Sequence, residues 1–109
     1  MAELLPPPAQ ADCVSRILWS HLPNGARVSV FGSRATGRGF KAHSDLDLLI
    51  DTPVELPLIA LADVREALAE SDLPFSVDLL DRRDISAEFL AQLELGGMVE
   101  LRPLPVTHR

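Results

Sequence analysis

Apolar and polar positions along this chain switch between helical and strand periods. Val14, Ile17, Leu18 and Leu22 recur at helical spacing. They predict a helix that starts near Ala11 or Asp12 and is ended by Pro23-Asn24-Gly25. Trp19 falls off that stripe, either as a partly buried rim residue or as an anchor for a partner protein. Arg27–Phe31 reads as a strand. Leu46–Ile50 reads as a second, with Leu46, Leu48 and Ile50 on one face and Asp45, Asp47 and Leu49 on the other. Between them, Ser33 to Gly37 is expected to open a short helix capped by Ser33. Pro57 suits the first turn of a helix reaching about Ser71, with Leu58, Leu61, Val64 and Leu68 inward and Asp63, Arg65, Glu66 and Glu70 outward. Leu73-Pro74 leads into a third strand, Phe75–Leu80. A last helix carries Ile85, Phe89, Leu90 and Leu93, with Asp84 or Ser86 as its cap and Gly96-Gly97 as its stop. Met98–Leu101 reads as a short final strand.

These elements divide the chain into an extended lead-in at residues 1–10, containing Pro6-Pro7-Pro8, a domain at 11–102 and a tail at 103–109. The length suits one domain. A formal charge of −6 argues against a protein that lives on DNA or RNA, because phosphate backbones demand a basic footprint. The charge leaves open the binding of one nucleotide through metal ions. Cys13 stands alone, which excludes an internal disulfide and a cysteine-based zinc site and leaves a small apolar helix residue. Met1-Ala2-Glu3-Leu4-Leu5-Pro6 lacks the regions of a signal peptide, and no apolar run nears transmembrane length. No membrane association and a cytoplasmic location are therefore expected.

The chemistry concentrates where the first strand runs into Gly32-Ser33 and the second carries Asp45 and Asp47. Residues two apart in a strand share a face, roughly 6.5–7 Å apart. Carboxylates that close repel unless a cation or a proton intervenes. Magnesium suits such oxygens, since it takes one or two carboxylates and completes its shell with phosphates. Backbone N–H groups at a Gly-Ser turn can meet those phosphates. Asp78 interrupts the apolar run Val77-Asp78-Leu79-Leu80. It either faces solvent on an edge strand or joins the other two at a metal site. Asp51 lies further along and reads as a strand-end residue. Gly32 to Gly37 has the glycine spacing of a P-loop, but Arg38-Gly39 follows where lysine and a hydroxyl residue are required. Gly37 to Ala42 imitates a dinucleotide fingerprint without the strand before it or the acid after it. His21, His43 and His108 form no motif, and Arg38 and Lys41 read as solvated loop cations.

The ordered set Gly32, Ser33, Asp45, Asp47 and Asp78, with Arg34, Gly37 and Ser44, resembles the nucleotidyltransferase superfamily of DNA polymerase beta type. It is most similar to the minimal nucleotidyltransferase branch, over roughly Val28 to Leu101. Eleven residues separate Ser33 from Asp45, one more than is usual in the branch, an excess placed between Arg38 and His43. The resemblance implies an α/β fold, a small mixed β-sheet flanked by helices. It implies AMP transfer from ATP to an acceptor hydroxyl, with Asp45, Asp47 and Asp78 holding two Mg²⁺ ions and Gly32, Ser33, Arg34 and Ser44 at the nucleotide. Small members of the branch are paired as antitoxins with a helical HEPN toxin whose tyrosine they adenylylate. That partnership is the expectation here, because the chain has no room for an acceptor-binding lobe. Two alternatives stay open. One is transfer to a small molecule of aminoglycoside type, with a homo-oligomer completing the cleft; the other is an antitoxin that neutralises by contact alone.

Overall fold

The computed structural model describes residues 6–41 and 44–101. In chain order the elements are α1 (Pro8–His21), β1 (Arg27–Phe31), α2 (Ser33–Thr36), β2 (Leu46–Asp51), α3 (Leu58–Ala69), β3 (Val77–Asp81), α4 (Ala87–Gly96) and β4 (Val99–Leu101), with a 3-10 turn over Arg82–Asp84. The strands form one mixed sheet in the order β3-β2-β1-β4. β1 runs antiparallel to β2 and β4, while β2 and β3 are parallel. Parallel neighbours cannot be joined by a tight turn, so the chain crosses back through α3.

Strand alternation decides which face is covered. Val28 and Val30 of β1 and Leu46, Leu48 and Ile50 of β2 are buried against Val14 and Leu18 of α1 and Leu61, Val64 and Leu68 of α3. The opposite face carries Asp47 and its neighbours. Two side-chain ties fix how β2 and β3 end. Arg83 donates to Thr52 Oγ1 and to the Thr52 carbonyl, both at 2.9 Å, and its own N–H donates to Asp81 Oδ1 at 2.9 Å. Arg65 Nη2 donates to the Leu79 carbonyl at 3.1 Å. That bond satisfies a backbone group that an edge strand otherwise leaves to solvent.

Several elements depart from the sequence expectation. α1 starts at Pro8, before the expected Ala11 or Asp12, so Pro8, Ala9 and Gln10 form its first turn. Proline at the first helical position loses no hydrogen bond and has its φ already set. Gly32, not Ser33, stands at the N-cap of α2, with φ 75° and no side-chain cap bond. Leu58 is 96% exposed rather than inward. It opens α3, three positions before the buried Leu61, and stays uncovered. β2 extends one residue further, to an exposed Asp51, and β3 starts at Val77, two residues later than expected. Ser86 is the cap of α4, its hydroxyl accepting from the Phe89 N–H at 3.0 Å. No residue of α4 is buried. Trp19 is half-buried against the core, the rim position of the two considered. Among the described residues no helix is long and apolar enough to cross a membrane. The tail at 103–109, His43 and His108 lie outside the described residues.

Candidate active site

The parallel register of β2 and β3 sets Asp47 directly against Asp78. On its other side Asp47 pairs with Phe31, the last residue of β1. One row of the sheet therefore reads Asp78, Asp47, Phe31 across three strands, and Gly32 follows at once. Asp45 precedes Asp47 by two residues, just ahead of β2, close enough for its charge to act on the Asp47 carboxyl. Its position is held by the next residue, whose backbone N–H (Leu46) donates to the Ser76 carbonyl at 2.9 Å. Asp78 sits exposed on an edge strand, with Asp47 as its partner on β2.

The electrostatics follow from this crowding. The Asp47 carboxyl is pushed up to about 6, first by burial, then by the charges of Asp78 and Asp45 and by a hydrogen bond with Asp78. Gly32 explains how the turn comes so close. A Cβ built there would stand 2.5 Å from Asp47 Oδ2, and its φ of 75° is one that other residues adopt at a cost. The absent side chain lets the carboxylate occupy that space at the start of α2, where the Gly32 carbonyl accepts from the Ala35 and Thr36 N–H groups at 3.0 Å.

A divalent cation fits this donor set. The residues offer hard carboxylate oxygens whose mutual repulsion a positive charge relieves. Among the described residues no three His, Cys, Asp or Glu side chains gather into a group that could hold a metal ion, so Asp45, Asp47 and Asp78 do not stand as a preformed three-carboxylate set. Asp47 and Asp78, paired across β2 and β3, are two such carboxylates, and Mg²⁺ commonly takes one or two with phosphates completing its shell.

The loop into β2 is organised by Arg34 and Ser44. Arg34 was expected at the nucleotide, yet its side chain turns into the protein, 4% exposed. Its Nε donates to the Ser44 carbonyl at 3.0 Å, and its guanidinium lies 4.5 Å from the Phe75 ring centre and 5.3 Å from that of Phe40. Burial lowers its pKa from the ordinary arginine value. Ser44 Oγ accepts from the Lys41 N–H at 2.8 Å, and the Ser44 N–H donates to the Lys41 carbonyl at 3.0 Å. Ser44 therefore spends its polar groups on the loop, while Ser33 remains half-exposed on α2.

Two open clefts flank β3. One, of about 370 Å³, is lined by Phe31, Asp47, Arg65, Val77, Asp78, Leu79 and Leu80. The other, of about 620 Å³, has Asp45 at its rim and runs between the end of α3 and Leu73–Val77. Arg65 lines both. The sequence pattern marked Arg65 only as an outward helix position and Phe75 only as strand. Neither signals a site without knowledge that β3 is an edge strand beside α3.

The nucleotidyltransferase domain family matches residues 14–98. A 62-residue stretch is 47% identical to the probable protein adenylyltransferase MntA of Haemophilus influenzae, covering 57% of this chain and 54% of that protein. The chain thus spans about half the length of this curated relative. A solved toxin–antitoxin structure with AMP-PNP superposes with a TM-score of 0.66 at 26% identity, over 85% of this chain and 73% of the other. A complex of tri-AMPylated Shewanella oneidensis HEPN toxin with MNT antitoxin gives 0.63 at 24% identity, over 87% and 71%, a likeness of fold.

Proposed function

The chain belongs to the nucleotidyltransferase domain family, and from that premise we propose that it transfers AMP from ATP to an acceptor hydroxyl, a tyrosine on a cognate HEPN toxin. The observation that carries this reading is the register of Asp47 against Asp78 beside Gly32, with the Asp45 charge acting on Asp47. The relative named as a protein adenylyltransferase and the likeness to toxin–antitoxin complexes support the choice of acceptor.

In this reading Asp45, Asp47 and Asp78 would hold Mg²⁺. The bound ions supply neutralisation of the triphosphate and a lowered pKa for the attacking hydroxyl. Gly32 lets the turn approach Asp47 closely, and Ser33 with the backbone around Gly32 grips the outer phosphates. Asp78, exposed on the edge strand, faces the acceptor and draws the hydroxyl proton. The acceptor oxygen forms a bond to the α-phosphorus as the bond to the bridging oxygen breaks in line, and pyrophosphate leaves. The reaction takes place in the cytoplasm, on a protein acceptor.

The test is mass spectrometry of the neighbouring HEPN-type protein co-expressed with this chain. The expected result is a gain of one or more AMP units on a tyrosine, absent with Asp45→Ala/Asp47→Ala. Neutralisation of the toxin that survives both substitutions, with no mass gain, would establish binding without chemistry. Turnover with a small hydroxyl compound alone would establish the aminoglycoside-type reading.

A further inference from the structure

We infer that Arg34 is a positioning residue, whose guanidinium ties the entry to β2 to the Gly32-Ser33 turn and so sets Asp45 and Asp47 against the phosphate side of the site. The inference rests on the transferase reading for its catalytic consequence, but its geometry stands alone.

Arg34 follows the Gly-Ser turn directly, on α2, and an arginine beside a phosphate-binding turn invites a role on the phosphates. The surroundings point elsewhere. With 4% of its surface exposed, the residue faces Phe75 and Phe40 and bonds the carbonyl of Ser44, the residue before Asp45. Three parts of the chain meet at this one side chain: the turn after β1, the loop before β2 and the segment entering β3. Those are the segments that deliver Gly32, Asp45–Asp47 and Asp78. A guanidinium is required because it is planar, stacks on rings and donates from Nε in a fixed direction, whereas a lysine offers only a flexible point charge. Groups that orient ligand-bearing residues typically contribute about 10- to 100-fold to metal affinity or activity.

Three full-length variants test this: Arg34→Lys, Arg34→Met and Phe75→Leu. Two measurements are made on each, hydrogen exchange of the backbone amides from Ser44 to Asp47 and calorimetric titration with Mg–ATP. Positioning predicts that Lys and Met behave alike, with faster exchange at these amides and Mg–ATP affinity lower by about tenfold or more. Phe75→Leu, which keeps the arginine but removes a ring, shifts both readouts the same way, and it carries the test should the Arg34 variants fail to fold. Wild-type affinity in Arg34→Lys with loss in Arg34→Met overturns the inference, because charge alone would then matter. Unchanged exchange in all variants overturns it as well. A wild-type protein that binds no Mg–ATP sinks the transferase reading instead, and the exchange data still judge Arg34.

Discussion

At Gly32 the Asp47 carboxylate fills the space that a Cβ would need. Gly32→Ala combines a left-handed backbone, costing about 1–2 kcal/mol, with a methyl group on top of the Asp47 carboxylate. The expected outcome is a folded protein of lower thermal midpoint whose Mg–ATP affinity, read by calorimetry, falls more than its stability. Asp47 also makes a pH prediction. Its folded pKa, about 6, lies above the ordinary value of 3.8. The folded state therefore binds the proton more strongly than the unfolded one, so the contribution is full below about pH 4 and is lost as pH rises through about 6. In EDTA the wild type should lose thermal stability over that window relative to Asp47→Asn. The difference is on the order of 1 kcal/mol once partial exposure is discounted. Added Mg²⁺ should erase it above pH 6. A wild type and variant with parallel pH profiles would contradict the assignment.

Elements differ in how firmly they are held. α3 supplies Val64, fully buried, while α4 buries none of its residues. Val64→Ala removes core contacts and should cost about 1–3 kcal/mol of global stability by denaturant titration. Ser86→Ala removes the α4 cap and should cost about 1 kcal/mol, read as faster exchange within α4 with Mg–ATP affinity unchanged. The same difference explains what was legible. Val14, Leu18 and Leu22, or Leu46, Leu48 and Ile50, repeat because one face meets a dense core, so period and burial coincide. Leu58 keeps the period of α3 without a neighbour to cover it, and no local pattern distinguishes it from Leu61. The start of α1 was hidden by Pro6-Pro7-Pro8, which reads as extended chain although proline is also a good first helical residue.

At the scale of the molecule, the sheet order decides whether separated acids become one site. Asp45 and Asp47 could be placed together from strand parity. Asp78 could not, because parity says nothing about which strand lies beside which, and the link came from resemblance. The β2–β3 register supplies it, setting Asp47 on Asp78 at the edge where Arg65 and two clefts lie. Arg34 shows the converse: adjacency to Gly32-Ser33 suggested phosphate contact, and folding of Phe40 and Phe75 around it turned the side chain inward. In the proposed function, carboxylates from two neighbouring strands act as a single cation-and-triphosphate site. Calorimetric titration of ATP into the wild type, Asp47→Asn and Asp78→Asn, each with and without Mg²⁺, tests it most directly. The account predicts saturable, Mg²⁺-dependent binding by the wild type that either substitution weakens by about tenfold or more. ATP binding that is indifferent to Mg²⁺, or that survives Asp78→Asn at wild-type strength, would contradict it.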